Sequence, residues 1–168
     1  FPTRRSSDLA KSNTEVELHL WDRSTVDLLD TLRVKDLLGK LRPDVIIHAA
    51  AKVGGIHANI AHPVEFLAQN QVMDNNVLMG ALSHSISNIV YVGSSCMYPR
   101  DYRQPLVESD ILAAPLEPTN EGYALAKISG SRLASYISRE YGLNYKTIVP
   151  SNLYGPGDNF DSQSSHLV

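Results

Sequence analysis

The sequence is poor in cysteine: Cys96 is the only one among 168 residues. A single cysteine excludes an internal disulfide and favours a reducing compartment, so we expect a cytoplasmic protein. Long apolar runs are missing as well, because none approaches the roughly 20 residues that a membrane-spanning helix needs. We therefore predict a protein without a membrane partner.

The sequence also lacks an excess of charge of either sign. A net charge of -3 and an isoelectric point near 6.1 do not fit the basic surface of nucleic-acid-binding proteins, so we predict no such partner. None of the 6 histidines is spaced with cysteine or carboxylates as metal ligands usually are, and we predict no metal site. His48, inside an apolar run, is interpreted as a hydrogen-bonded core residue.

What is present is an alternation of strand-like and helix-like segments. Short apolar, mostly β-branched runs predict buried strands at 16–21, 44–51, 88–95 and 145–152. Apolar residues at helical spacing predict helices at 31–41, 63–85 and 121–142. Thr31 is the predicted N-cap of the first helix, and Gly142 the terminator of the last. This alternation is typical of an α/β fold with a doubly wound parallel sheet.

A glycine-rich phosphate loop is missing. Doubly wound nucleotide-binding sheets usually begin with a strand that runs into such a loop, yet no G-x-G-x-x-G motif precedes the first predicted strand. The final residues, SQSSHLV, stop without a closing element. We interpret the chain as truncated at both ends, with residues 1–10 foreign to the natural sequence and residues 11–168 forming part of one nucleotide-binding domain.

Three residues form a candidate catalytic set. Tyr123 and Lys127 in YALAK lie four residues apart, on one face of a predicted helix. Because a lysine ammonium beside a phenol favours the phenolate, we predict a lowered Tyr123 pKa and an acid or base for a carbonyl/alcohol pair. Ser94 ends a predicted parallel strand, where open α/β sheets bind ligands. Tyr-x-x-x-K is common by chance, and it is the combination with Ser94 that favours catalysis.

Longer stretches around these residues identify a family. Ser94, Tyr123 and Lys127 resemble the Ser-Tyr-Lys triad of the extended short-chain dehydrogenases/reductases. Within them, AAAKVGGIHAN, GSSCMYP, LEPTNEGYALAK and NLYGPGDNF resemble the motifs of the GDP-L-fucose synthases over most of the chain. Enzymes of that family carry out NADPH-dependent 3,5-epimerisation and 4-keto reduction of GDP-4-keto-6-deoxy-D-mannose to GDP-L-fucose, on a Rossmann-like NADP-binding domain.

The resemblance implies catalytic roles at five positions. Tyr123 donates a proton to the 4-keto oxygen, Lys127 holds the nicotinamide ribose and Ser94 orients the substrate oxygen. Cys96 and His166 match the acid/base pair for epimerisation at C3 and C5. The 4-keto group acidifies the hydrogens at these carbons, and this suits a thiolate and an imidazole.

The resemblance also implies a set of NADP(H) contacts. Arg23, placed after the first predicted strand, suits a bidentate contact with the 2′-phosphate, and this favours NADP over NAD. The other contacts come from a segment near the adenine and from strand ends: Asp27, Leu28, Val92, Gly93, Ser94, Ser95, Lys127, Pro150, Ser151, Asn152, Leu153 and His166.

For the whole enzyme the family implies a GDP-sugar substrate and a homodimer formed by the helices at 63–85 and 122–142. Two alternatives stay open: another nucleotide-sugar epimerase or dehydratase of the extended family, and a non-catalytic nucleotide-binding module. Cys96 favours the epimerase/reductase, because a simple 4-epimerase needs no base at C3 or C5. We expect the chain alone to be inactive, since it lacks the glycine-rich loop and the C-terminal substrate domain.

Overall fold

The structure, a computed structural model, describes residues 16–151. The helices of this part are α1 (Thr31–Leu41), α2 (Ile56–Ala61), α3 (Pro63–Ser83) and α4 (Glu121–Tyr141). The strands are β1 (Ile46–His48), β2 (Asn88–Val92) and β3 (Asn144–Ile148). None of these helices has the length and apolar character required to span a bilayer.

The three strands form one parallel sheet in the order β1-β2-β3. In its register Ile46 pairs with Ile89, and Tyr91 pairs with Thr147. α2 and α3 connect β1 to β2, and α4 connects β2 to β3, which are the long crossovers that parallel neighbours require. The predicted α/β class with a parallel sheet is confirmed.

The predicted strand at residues 16–21 is wrong for this structure. These residues adopt no regular structure, and Val16, Leu18 and Leu20 are 54%, 37% and 42% exposed. Within residues 16–151, no strand of the sheet pairs with this segment. A strand is stabilised by ladder hydrogen bonds to a neighbour, so an apolar segment without one stays irregular.

The helix ends follow ordinary capping chemistry. Asp30, and not the predicted Thr31, caps α1: its carboxylate accepts a hydrogen bond from the Arg33 backbone N–H at 3.0 Å. Gly142 ends α4 as predicted, in the left-handed conformation with φ of 69°. α3 begins at Pro63, the favoured first position of a helix.

Two apolar clusters hold the helices on the sheet. The larger one lies among α1, α3, α4 and the strands: Val26, Val34, Leu38, Val77, Leu78, Ala81, Ile86, Ile89, Ala134, Ile137 and Tyr145. The smaller one consists of Met97, Leu116, Ala124 and Ile128, next to the end of β2. Gly130 lets α4 lie close to the sheet, because an added Cβ would collide with the Tyr91 hydroxyl. The smaller cluster supports the site described next.

Candidate active site

A short 3₁₀ turn at the end of β2 presents Ser94 and Cys96. β2 ends where the Gly93 N–H donates a 2.8 Å hydrogen bond to the last residue of β3. The turn itself, Ser95–Met97, is called the strand-end turn. The Ser94 hydroxyl accepts a hydrogen bond from the Cys96 N–H at 3.3 Å. Because Met97 is fully buried in the smaller cluster, the turn is anchored and Cys96 is held half-buried.

The helix α4, which carries Tyr123 and Lys127 in its first turns, packs against the strand-end turn. Tyr123 is half-buried, and Lys127 is only 2% exposed. The Ser94 hydroxyl and the Cys96 sulfur both lie near enough to the Tyr123 phenol to change its pKa. The structure therefore brings together three of the five predicted catalytic residues, Ser94, Cys96 and Tyr123. Lys127 lies one helical turn after Tyr123, and His166 lies outside the described residues.

The environment of Tyr123 differs from the prediction. Burial raises the pKa of Tyr123 to about 12; negative charge at Cys96 adds to the rise and interaction with the Ser94 hydroxyl opposes it. The predicted lowering by Lys127 is wrong here, because the ammonium lies 4.3 Å from the centroid of the Tyr91 ring and desolvation of the phenol dominates. Tyr123 is therefore protonated at neutral pH, the state that an acid needs when a ketone is reduced.

A buried polar network that the sequence did not predict lies behind Lys127. Asp74 of α3 accepts a hydrogen bond from the Tyr91 hydroxyl at 2.5 Å, and His48 Nε2 lies 2.8 Å from its other oxygen. His48, Asp74 and Tyr91 are 3%, 2% and 0% exposed. The interpretation of His48 as a hydrogen-bonded core residue is confirmed. The local sequence pattern around Asp74 does not mark it as buried, and its 2% exposure follows from the fold.

Lys127 is a buried cation on an aromatic face. Burial lowers the pKa of Lys127, and the charge of Asp74 opposes that lowering. Between residues 16 and 151, no carboxylate forms an ion pair with Lys127. The ring of Tyr91 stabilises the ammonium from one side through its quadrupole. Among residues 16–151, no carboxylate accepts a hydrogen bond from the Lys127 ammonium.

The predicted cofactor residues at the strand ends lie at one edge of the sheet. Val92, Gly93 and Ser95 lie at and beyond the end of β2, and Pro150 and Ser151 follow the neighbouring strand β3. Carboxyl ends of adjacent parallel strands meet at the same edge, which is where such sheets bind ligands. The remaining predicted positions lie outside the described residues: Asn152, Leu153 and His166.

The other predicted cofactor residues lie before α1. Arg23 is exposed in a turn that the Asp22 carboxylate closes by accepting from two following N–H groups at 2.9 and 3.0 Å. Asp27 is exposed, and its carboxylate accepts a backbone hydrogen bond of 2.9 Å. Leu28 packs against the larger cluster, and its carbonyl accepts from the Asn76 amide at 2.8 Å. This segment is thus held against α3 through Leu28.

The buried tyrosines predict a loss of stability at alkaline pH. Burial raises the pKa of Tyr123 and of Tyr145 to about 12, and burial together with Asp74 raises the pKa of Tyr91 further. Since the unfolded phenols ionise near 10.0, the folded state retains protons that the unfolded state loses above that pH. We expect the free energy of unfolding to fall as pH rises from 10.0 to about 12.

Urea unfolding at a series of pH values, with tyrosinate absorbance recorded in parallel, measures this loss. Tyr145→Phe should make the fall less steep, because it removes one of the retained protons. A free energy of unfolding that stays level across the interval would contradict the prediction.

Comparison with known proteins agrees with this site. The sequence profile of the NAD dependent epimerase/dehydratase family matches residues 3–168. GDP-L-fucose synthase of Escherichia coli (strain K12) is 44% identical over 154 residues, which are 92% of this chain and 48% of that protein. GDP-L-colitose synthase of Yersinia pseudotuberculosis is 49% identical over 144 residues, which are 85% of this chain and 47% of that protein.

The fold is also shared with solved structures. A crystal structure of a GDP-L-fucose synthetase from Naegleria fowleri bound to NADP matches with a TM-score of 0.85 at 26% identity, covering 98% of this chain and 54% of that chain. The resemblance to GDP-L-fucose synthases that the motifs indicated is confirmed, and the chain spans about half the length of the curated relatives it matches. The chain belongs to the NAD dependent epimerase/dehydratase family.

Proposed function

We propose that this chain is the cofactor-binding part of an enzyme that converts GDP-4-keto-6-deoxy-D-mannose to GDP-L-fucose. The observation that carries the proposal is the convergence of Ser94, Cys96 and Tyr123 at one strand end. A tyrosine acid suits the reduction of a ketone, and a thiol base suits epimerisation beside it. The relatives named GDP-L-fucose synthase and GDP-L-colitose synthase support a GDP-sugar as the substrate.

NADP(H) fits the donor set at this edge of the sheet. The Lys127 ammonium is buried, rests on the Tyr91 ring and has no carboxylate partner among residues 16–151, so its N–H groups suit the hydroxyls of a ribose. The exposed guanidinium of Arg23 suits a 2′-phosphate, which favours NADP over NAD. The NADP bound by the Naegleria fowleri protein supports this choice. When bound, the reduced nicotinamide supplies the hydride for the 4-keto carbon.

The reduction uses residues on α4 and at the strand end. The Tyr123 phenol gives its proton to the 4-keto oxygen and is left as a phenolate. The Ser94 hydroxyl, which opposes the rise in the Tyr123 pKa, stabilises that phenolate. The Ser94 hydroxyl holds the substrate oxygen against the phenol. Because the pKa of Tyr123 is raised to about 12, the phenol is protonated before each turnover.

The epimerisation uses the strand-end turn. The Cys96 thiolate takes a proton from C3 or C5 of the sugar and becomes a thiol, while the electron pair of the broken C–H bond moves onto the 4-keto oxygen as an enolate. A proton returned to the opposite face of that carbon inverts its configuration and restores the ketone. His166, which matches the second residue of the family's acid/base pair, is the proposed donor.

Cys96→Ser separates the two reactions. A serine hydroxyl is far harder to deprotonate than a thiol, so we expect epimerisation to slow by about 10²-fold, toward the lower end of what one general base contributes. Hydride transfer to a ketone should stay possible, because Tyr123 and Lys127 are unchanged. In the complete reading frame, incorporation of solvent deuterium at C3 and C5 measures the first reaction, and NADPH oxidation with product analysis by NMR measures the second.

The matched control is a reciprocal variant. Tyr123→Phe should leave deuterium incorporation intact while reduction is lost. If deuterium enters C3 and C5 at the same rate in Cys96→Ser and in the unaltered protein, Cys96 is not the base.

A second GDP-sugar reaction is also supported. The GDP-L-colitose synthase of Yersinia pseudotuberculosis is 49% identical, a similarity close to that of the E. coli GDP-L-fucose synthase at 44%. The residues that tell one sugar from another can therefore lie outside this half of the protein. Product analysis of the complete reading frame, with GDP-4-keto-6-deoxy-D-mannose and with the precursor of GDP-L-colitose, decides between the two.

We also propose that the complete protein is a homodimer through α3 and α4. These helices pack against each other, and each keeps apolar side chains exposed on its surface. Val72 and Met79 of α3 are each 42% exposed, and Tyr136 of α4 is 51% exposed. A second copy packed by a two-fold axis would cover this surface in a bundle of four helices. Sedimentation velocity distinguishes the dimer from a monomer.

A further inference from the structure

Asn120 stands at the start of α4 without capping it. It is the last residue of the 3₁₀ turn Pro118–Asn120, directly before the first helical residue. An asparagine at this position usually accepts a hydrogen bond from an N–H of the first helical turn, but Asn120 makes no such side-chain bond. The side chain of Asn120 therefore does not supply the hydrogen bond by which an asparagine at this position usually stabilises the start of a helix.

The Asn120 amide contacts the only thiol of the chain. Nδ2 donates a hydrogen bond to the Cys96 Sγ at 3.2 Å, across 24 residues of sequence. Oδ1 is buried and has no hydrogen-bond partner between residues 16 and 151. Leaving the Asn120 carbonyl oxygen buried and unpaired is unfavourable, so we expect a favourable contact to keep the amide in this orientation. The hydrogen bond to the sulfur is such a contact.

We propose that Asn120 is a positioning residue for Cys96, whose amide N–H holds the sulfur and favours its ionised form for proton abstraction. The inference rests on the proposed function, because it assigns Asn120 to the epimerisation step. A thiolate accepts hydrogen bonds more strongly than a thiol does, so a fixed amide donor stabilises the charged form. Asn120 thus acts on the sugar only through Cys96.

Few other groups around Cys96 could donate a hydrogen bond to its sulfur. The smaller apolar cluster of Met97, Leu116, Ala124 and Ile128 packs against it. From α4 the titratable neighbour is Tyr123, whose pKa is raised to about 12, so it stays neutral throughout the range in which a thiol ionises. The start of α4 adds its positive dipole end on the same side. The amide of Asn120 is the donor that contacts the sulfur directly.

The pH dependence of Cys96 alkylation tests the proposal. Iodoacetamide reacts with the thiolate, and mass spectrometry of the peptide that carries Cys96 gives the rate at each pH in the complete protein. Asn120→Ala removes the donor, and Asn120→Asp replaces it with a carboxylate of the same shape. For both variants we expect the midpoint of the profile to rise by about one pH unit. The rate at neutral pH should then fall about threefold, because the loss of thiolate is partly offset by the greater nucleophilicity of a more basic thiolate.

The controls separate a local effect from a change of fold. Asn75 is exposed on α3, so Asn75→Ala and Asn75→Asp should leave the profile unchanged. In concentrated urea all variants should share one profile. Because the Asn120 side chain does not cap α4, its variants should keep the melting temperature of the unaltered protein. If Asn120→Ala lowers the melting temperature, the alkylation profile of the isosteric Asn120→Asp tests the proposal instead. A folded Asn120 variant with the unaltered midpoint would overturn the proposal.

Deuterium incorporation at C3 and C5 distinguishes this inference from the proposed function. If both hold, Asn120→Ala slows incorporation about threefold, as it slows alkylation, because the smaller thiolate fraction is partly offset by a more basic thiolate. If the alkylation midpoint moves but Cys96→Ser leaves incorporation unchanged, Asn120 does tune the thiol and the assignment of Cys96 as base is wrong. If the midpoint does not move and Cys96→Ser abolishes incorporation, the proposed function stands and the role of Asn120 is rejected.

Discussion

Tyr123→Phe lowers the rate of 4-keto reduction by a factor on the order of 10²–10⁴, the range that one general acid contributes. The variant keeps the ring that fills the half-buried position but has no proton to give to the ketone oxygen. The oxyanion then develops beside Ser94 without a phenol to protonate it. The phenol of the unaltered protein is protonated at neutral pH, because its pKa is raised to about 12, so the loss affects every molecule and not a small ionised fraction.

The measurement is NADPH oxidation by the complete reading frame with the 4-keto sugar in excess. Tyr141→Phe is the matched control, since Tyr141 lies on the same helix, is 55% exposed and undergoes the same chemical change. That variant should keep the unaltered rate. If Tyr123→Phe reduces the sugar as fast as Tyr141→Phe does, the proton comes from another group and the assignment of Tyr123 is wrong.

The raised pKa also predicts the direction of the pH profile. A protonated Tyr123 is required for reduction, and deprotonation would begin only toward pH 12 in the structure described here. The same residue would have to be ionised to serve as a base in the reverse oxidation. The rate of reduction, as far as Tyr123 sets it, should therefore not change with pH across the neutral range, because the phenol starts each forward turnover protonated.

Local sequence rules were enough to locate much of the site. Ser94 was placed by the rule that ligands bind at the carboxyl ends of parallel strands, and Tyr123 and Lys127 by the helical spacing of four residues. Both rules depend on neighbours within a few residues, and in the structure Ser94 follows β2 while Tyr123 and Lys127 lie on α4. The strand predicted at residues 16–21 was wrong because a strand depends on a partner elsewhere in the chain, which the local pattern does not contain.

Burial and long-range pairing account for what the sequence could not show. The Tyr123 pKa was predicted in the wrong direction because its desolvation depends on tertiary packing, whereas the Lys127 spacing is local. Asn120 precedes a helix and suggests a cap, but its amide contacts a cysteine 24 residues away. Asp74 lies in the polar stretch QNQVMDNN, which has the composition of a solvated helix face. Only the fold reveals that this carboxylate is 2% exposed.

Asp74→Ala should lower the free energy of unfolding by about 2–5 kcal/mol, because a buried hydrogen-bonding group that loses its partner costs about 1–3 kcal/mol and Asp74 is the partner of two. The Asp74 carboxylate accepts from the Tyr91 hydroxyl at 2.5 Å and lies 2.8 Å from His48 Nε2. Alanine removes the partner of His48 Nε2, leaves the Tyr91 hydroxyl with only a 3.4 Å hydrogen bond to the Lys127 carbonyl, and opens a void beside Gly130. Equilibrium unfolding by urea or guanidinium, for the complete protein, measures the change.

The size of that loss distinguishes a buried network from an ordinary surface charge. Asp36→Ala is the matched control, because Asp36 pairs with Lys40 at 2.8 Å on the exposed face of α1, with 44% of its side chain accessible. Such pairs contribute about 0–1 kcal/mol. Tyr91→Phe combined with Asp74→Ala should cost less than the sum of the two single changes, since the phenylalanine no longer needs an acceptor. If Asp74→Ala costs no more than Asp36→Ala, the network does not stabilise the fold, and the surface on which Lys127 rests must be held by the apolar packing of Tyr91 alone.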